Sequence, residues 1–278
     1  MLVELAIGDA YGAGFEYSSD KVVKTQNNLA AYIRHKSHNI EPGCYTDDTQ
    51  MAIAIAELLV EGAPWSPELI AAKFVECYHR DPRDGYARGF KAFLDQTHDA
   101  ATFLKNIRPD SDKSGAAMRA PPIGRLRNTG DVIDRTTVQA RITHNTPDGI
   151  SAACASALLT HYFAHNYGEK LSVGKFIEGQ IGGQWSVPWT GKVGAPGLES
   201  VRAAVTAVTT SASLSQVLMN SIAFTGDVDT VASIAMAAAS CSEQFVKDIP
   251  AHLISGLENG KFGREYIERL DKRLLGYH

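Results

Sequence analysis

The sequence predicts an all-α fold, one multi-helix domain with long functional loops. Three observations predict it. Apolar residues recur at helical spacing along most of the chain, alternating β-branched runs bounded by turns are nearly absent, and no linker separates two cores. The 278 residues suffice for one large domain or two small ones, and a 44% hydrophobic content supplies a substantial core.

The helices follow in order. Residues 48–61 set Met51, Ile55, Leu58 and Leu59 at helical spacing. Residues 67–79 begin with Pro67, a good first-turn residue, and carry Leu69, Ile70, Phe74 and Val75 as the stripe to be buried. Residues 149–166 make a long helix through Ile150, Ala153, Ala157 and Leu158. Residues 198–209 and 213–224 form a helical pair, and the Ala- and Ser-rich stretch 229–245 permits close approach to neighbouring helices. The last helix, 263–275, is charged and amphipathic. Residues 18–46 read as polar and irregular. The other loops are 107–131, rich in Ser, Gly and Pro, and 182–197, with Gly182, Gly183, Trp185, Trp189, Gly191 and Gly194.

Composition excludes several classes. A net charge of −4 provides no basic footprint for sequence-independent nucleic-acid binding. Cys44, Cys77, Cys154 and Cys241 are widely spaced and form no CxxC pair, which argues against a structural zinc site, a redox motif or a disulfide framework. The apolar run at the N-terminus is short and carries Glu4 and Asp9, so it is no signal peptide, and no stretch approaches the ~20 apolar residues of a transmembrane helix. The expected location is cytoplasmic.

Two acidic clusters sit immediately before helices, Tyr45-Thr46-Asp47-Asp48-Thr49 and Gly226-Asp227-Val228-Asp229-Thr230. Either one alone reads equally as a helix cap, since Asp and Thr are preferred N-caps and acids suit the first turn. One acid suffices for that role, however, and adjacent carboxylates repel unless a cation neutralises them. The pairing of two such clusters favours hard divalent cations bound by carboxylate and hydroxyl oxygens; the absence of His and Cys weakens a zinc reading. A third segment, Gly8-Asp9-Ala10-Tyr11-Gly12-Ala13-Gly14-Phe15-Glu16, suggests a helix end giving way to a turn, with Glu16 as a projecting carboxylate.

Taken in order, these segments resemble the ADP-ribosylglycohydrolase family. Gly8, Asp9, Gly12 and Glu16 match its GD-x-x-G-x-x-x-E opening, and Thr46, Asp47, Asp48, Thr49 and Met51 match its TDDT-x-M. Asp81-Pro82-Arg83-Asp84-Gly85-Tyr86 is similar to a further family segment, and Ser114 to Gly124 to the glycine loop ending in MR-x-x-PIG. Thr143-His144 and Gly226-Asp227-Val228-Asp229-Thr230 resemble its TH and GD-x-DT motifs. The resemblance implies an all-α fold of this type with two magnesium or manganese ions, held by Thr46, Asp47, Asp48, Asp227, Asp229 and Thr230. It also implies a glutamate loop at Glu16 and ADP-ribose contacts from Ser111, Ser114, Gly115 and His144. Lys113 and Ser114 depart from the pattern, standing where a glycine and an asparagine are usual, and Lys113 can instead reach a phosphate as a point charge.

The implied reaction is hydrolysis at ribose C1, releasing ADP-ribose from an ADP-ribosylated acceptor, with a protein side chain as the favoured acceptor. Glu16 is the candidate general acid or base or the residue that orients the ribose; Asp47 or Asp48 can serve as the base while touching metal. Two other readings stay open: a non-catalytic ADP-ribose-binding or lens-crystallin-like member of the fold, and a di-metal hydrolase of phosphoesters or nucleotides. Tyr86, Trp185 and Trp189 read as aromatic residues that either stack on adenine or pack loops onto the core.

Overall fold

The computed structural model describes residues 1–276, and among them the chain forms helices and no β-strand. The α-helices are α1 (Leu2–Ala13), α2 (Asp20–Gln26), α3 (Asp47–Glu61), α4 (Pro67–Arg80), α5 (Arg88–Asp95), α6 (Ala100–Asn106), α7 (Gly115–Met118), α8 (Thr129–Arg141), α9 (Pro147–Ala164), α10 (Val173–Ile181), α11 (Gly197–Thr210), α12 (Leu214–Ala223), α13 (Val228–Ser240), α14 (Ala251–Gly256) and α15 (Arg264–Leu275). One contiguous apolar core draws on residues from Leu2 to Leu274. No helix among the described residues is long and apolar enough to cross a membrane.

The long periodic segments form where the spacing predicts them, and their caps are those the sequence carries. Ser66 accepts a hydrogen bond from the Leu69 N–H ahead of Pro67, and Thr146 accepts from the Gly149 N–H at 3.0 Å ahead of Pro147. Met51, Ile55, Leu58 and Leu59 are all buried, whereas Leu69 of the expected stripe is 38% exposed. Helices also form where the polarity of the sequence hides them: α2 inside the segment 18–46, α7 and a 3-10 turn (Pro121–Arg125) inside 107–131, and α8 and α10 between the expected elements. These are short or marginally apolar, and tertiary contacts sustain them. The 229–245 helix stops at Ser240.

α13 is the axis of the molecule. All of its residues from Val228 to Ala239 are buried, which fits a helix of small and apolar side chains covered on every side. α1 lies directly on it. Gly8 and Gly12 occupy one face of α1, four residues apart, and continue the helix rather than ending it. A Cβ on Gly8 would stand 2.5 Å from the Ala232 carbonyl oxygen, and one on Gly12 would stand 2.4 Å from Asp229 Cα. The two backbones therefore meet with no side chain between them, and this contact carries the acidic start of α13 to the end of α1.

Gly12→Ala is expected to lose ~1–3 kcal/mol in urea unfolding, the range for an overpacked core. Gly179→Ala in α10, where a Cβ meets nothing within 4 Å, is the matched control and is expected to stabilise by up to ~1 kcal/mol. Equal stability of the two variants would refute the backbone contact as a constraint.

Candidate active site

The start of α3 is capped without help from its two aspartates. Thr46 is the N-cap, and its hydroxyl accepts from the Asp48 N–H at 3.3 Å. Asp9, fully buried in the middle of α1, takes the rest. Its Oδ2 accepts from the N–H groups of Thr46 (2.9 Å) and Thr49 (3.0 Å) and from the Thr49 hydroxyl (2.6 Å), and its Oδ1 accepts from the Thr46 hydroxyl (2.8 Å). Burial pushes the Asp9 carboxyl above the ordinary range, while these four donors pull it down. With capping satisfied, Asp47 and Asp48 face the cavity instead. At α13 the outcome is similar: Asp227 occupies the N-cap position, yet its side chain makes no cap hydrogen bond.

Three loops close around these helix starts. Gly226 has φ +96°, and a Cβ there would lie 1.8 Å from the Val193 carbonyl oxygen; the same turn is bound by Asp227 N–H to Val193 O at 3.1 Å. Tyr17 N–H donates to Gly226 O at 2.8 Å, which brings the end of α1 and Glu16 alongside Asp227. Gly85, with φ +110°, folds over Asp47 so closely that a Cβ would meet Asp47 Oδ1 at 2.3 Å.

The result is a cavity of about 540 Å³, well within the size of small-molecule sites. One end carries Glu16, Asp47, Asp48, Asp227, Asp229 and Thr230; the loop side carries Ser111, Lys113, Ser114, Gly115 and His144; an apolar wall holds Phe90, Phe93, Ile107 and Met118. The structure thus gathers the expected residues in one place except Thr46, which stands a layer back with its hydroxyl on Asp9. Ligand oxygens of Glu16, Asp227 and Asp229 lie within 4.8 Å of one another. Glu16, expected to act in the chemistry, therefore also lies close enough to share a cation with the second cluster. Of the aromatic candidates, Tyr86 is buried with its hydroxyl donating to Gln50 at 2.7 Å, and Trp185 is buried with its N–H donating to Gly182 O at 2.9 Å. Both pack loops, and Trp185 and Trp189 line a separate surface cleft.

The acidic end is electrostatically strained. Burial pushes Asp227 up to about 6, and the negative charge of Glu16 adds to it. Burial likewise raises Asp229 well above the carboxylate range, reinforced by Glu16, Asp48 and Asp227, and raises Asp47 and Asp48 with Asp9 as the next cause. Asp229 Oδ1 is buried and has no hydrogen-bond partner. Convergent buried carboxylates with an orphaned oxygen suit a hard cation, which would supply the missing partner and cancel the repulsion.

Several residues that shape this site have no role that their sequence position announces. Asp9 carries a signal, an acid set among apolar and small residues in the middle of α1. His35 carries none. It is buried in the 18–46 segment, and its Nδ1 accepts from the N–H groups of Ser37 (3.0 Å) and His38 (2.8 Å). The proton therefore sits on Nε2, which donates to Glu16 Oε2 at 2.8 Å and steadies that carboxylate.

The structure thus defines an all-helical scaffold whose cavity gathers convergent buried carboxylates from three segments of the chain. The family model described as ADP-ribosylglycohydrolase matches residues 1–278, and the chain belongs to this family of enzymes, which hydrolyse ADP-ribosyl linkages. The chain is 24% identical over 279 residues to the ADP-ribosyl-[dinitrogen reductase] glycohydrolase of Rhodospirillum rubrum, covering 97% of this chain and 92% of that protein. It is 27% identical over 173 residues to an ADP-ribosylhydrolase of Xenopus tropicalis, spanning 58% of this chain and about half, 48%, of the relative. An ADP-ribosylarginine hydrolase of Serratia proteamaculans is 24% identical over 170 residues, 58% of this chain and 45% of the relative. A solved structure described as an ADP-ribosylglycohydrolase-related protein complex shares the fold, with a TM-score of 0.75 at 23% identity, covering 99% of this chain and 95% of that one.

The carboxylate shifts set a pH dependence. A carboxyl whose folded pKa is raised stabilises the fold fully below its unfolded value near 3.8, and that stability is lost as pH rises through the folded value, about 6 for Asp227. The melting temperature of cation-free protein should fall across this window, and added magnesium should raise it more at pH 7.5 than at pH 5. Asp229→Asn should be more stable than wild type at pH 7.5 without cation and lose most of the response to it. A magnesium response independent of pH and of Asp229, in thermal denaturation, would contradict this assignment.

Proposed function

We propose that the chain is a divalent-cation-dependent hydrolase that cleaves the N- or O-glycosidic bond at ribose C1 and releases ADP-ribose from a modified protein side chain. The observation that carries the cation dependence is the meeting of Glu16, Asp227 and Asp229 within 4.8 Å around an unpartnered Asp229 oxygen. In this reading two magnesium or manganese ions are held by Asp47, Asp48, Asp227, Asp229 and Thr230, with Thr46 behind them and Glu16 beside them. Bound there, they supply positive charge that orients ribose hydroxyls and acidifies water.

The protein's own residues do the remainder. Asp9 and Thr46 hold the α3 start so that Asp47 and Asp48 keep their carboxylates toward the cavity. Ser233 donates to Asp48 Oδ2 at 3.1 Å and orients it. Glu16, steadied by His35, stands at the acidic end as the group that moves a proton or orients the ribose; its position beside Asp227 and Asp229 supports either role. The Ser111–Gly115 loop and His144 face the rest of the ligand, Lys113 can reach a phosphate, and Phe90 and Phe93 offer the adenine an apolar wall. A protein acceptor is favoured by the names of two relatives, one acting on ADP-ribosyl-[dinitrogen reductase] and one on ADP-ribosylarginine.

Release of ADP-ribose from arginine- and serine-linked proteins, with magnesium, with manganese and with chelator, tests the reading. Asp229→Ala and Asp227→Ala should each lower turnover at least ~100-fold, by analogy with the loss of one fixed charge-stabilising group, with the helical circular dichroism retained. Glu16→Ala should still bind ADP-ribose but turn over poorly. Full activity in chelator, or in either aspartate variant, would reject the cation site.

A further inference from the structure

The geometry points to Arg119 and Thr143 as positioning residues that lock His144 in the Nε2–H tautomer, so that its ring offers the ligand a fixed N–H donor rather than a base. The inference deepens the proposed function and rests on it for the identity of the ligand, an ADP-ribosyl group.

Hydrogen-bond direction carries the argument. Arg119 is 1% exposed, and a guanidinium has donors only. Its Nε donates to Gln139 Oε1 at 2.6 Å, and one terminal nitrogen donates to the Gln139 carbonyl at 3.1 Å and to Thr143 Oγ1 at 2.8 Å. Among the described residues no carboxylate pairs with it; the Phe74 ring lies 4.6 Å below. The Thr143 hydroxyl thus accepts from Arg119 and has one proton left to give. Its remaining partner is His144 Nδ1, at 2.7 Å. The reverse direction would leave the hydroxyl proton buried without an acceptor, since Thr143 is itself 4% exposed. Nδ1 is therefore the acceptor and the ring proton resides on Nε2.

That nitrogen faces the cavity beside Gly115, where a Cβ would come within 3.3 Å of it. Gln139 also donates to the Ala116 carbonyl at 3.0 Å, so one buried network fixes both the Ser114–Gly115 loop and the ring next to it. Burial first, and the Arg119 cation second, hold the ring's pKa down at about 3, which keeps it unprotonated across the working range. A donor at this point complements an oxygen of the ligand, phosphate or ribose, without taking its proton.

Histidine ring-nitrogen NMR on the full chain, with His144→Gln used to assign the signal, reads the tautomer directly. Wild type should show a protonated Nε2 and a bare Nδ1, unchanged between pH 6 and pH 8. Thr143→Val should populate the other tautomer and weaken ADP-ribose binding by about tenfold, the worth of one oriented hydrogen bond to a charged group, while Thr143→Ser, which keeps the hydroxyl, should restore both. A protonated Nδ1 in wild type overturns the inference. So does a Thr143→Val spectrum identical to wild type, or a Thr143→Ser variant as weak as Thr143→Val. An Nε2–H tautomer in a protein that binds no ADP-ribose supports the lock and overturns the functional reading alone.

Discussion

The site depends on the crossing of α1 and α13, where two helix backbones touch because Gly8 and Gly12 put nothing between them. That contact sets the position of Asp229 against α1. On the same helix, one residue after Gly8, Asp9 reaches the other way and binds the start of α3, so that a single turn of α1 registers both acidic helix starts. Glu16 leaves the end of α1 and is returned to the cluster by the Tyr17–Gly226 hydrogen bond. The carboxylates of three separate segments therefore share one frame of reference. A shift of α1 by a methyl group's width would move all of them.

The fold holds these acids in a state that costs it stability. Buried like charges disfavour one another, and a structure optimised only for stability would use a single cap at each helix start. Here Thr46 and Asp9 take over the capping of α3, and Asp227 stands in a cap position without capping. The surplus carboxylates then have no capping task. Strain of this kind, concentrated in one cleft and supported by a rigid core, is the signature of a functional site.

What was legible in the sequence divides along physical lines. Long helices with strong apolar periodicity, such as α3, α4, α9 and α13, were readable because burial of one face or all faces leaves a pattern. The short helices α2 and α7 were not, because tertiary contacts decide them. The segment from Gly8 to Glu16 does end α1, at Ala13, but the part of Gly8 and Gly12 is hidden: a helix end and a close helix crossing look alike in one dimension, and only the partner backbone distinguishes them. The acidic clusters are visible as clusters, but the freedom of Asp47 and Asp48 from capping is not, because it rests on Asp9, 37 residues away from Thr46. His35 and Arg119 act through hydrogen-bond direction, which no spacing encodes.

The polarity of the cavity gives the proposed reading its orientation. All of its carboxylates, Glu16, Asp47, Asp48, Asp227 and Asp229, lie at one end, while its remaining charged lining residues are the cations Arg108, Lys113 and Arg119. An uncovered pyrophosphate would be repelled from the first and drawn to the second. A ribose, neutral and rich in hydroxyls, suits the carboxylates and the cations they would bind. ADP-ribose has both parts, and in the proposed reading C1 of the terminal ribose would lie toward Glu16, with the phosphates toward Lys113 and the apolar wall of Phe90 and Phe93 left for the adenine. In that orientation the neutral ring of His144 serves the ligand better than a charged one, because it donates without competing for the proton that the bond at C1 requires.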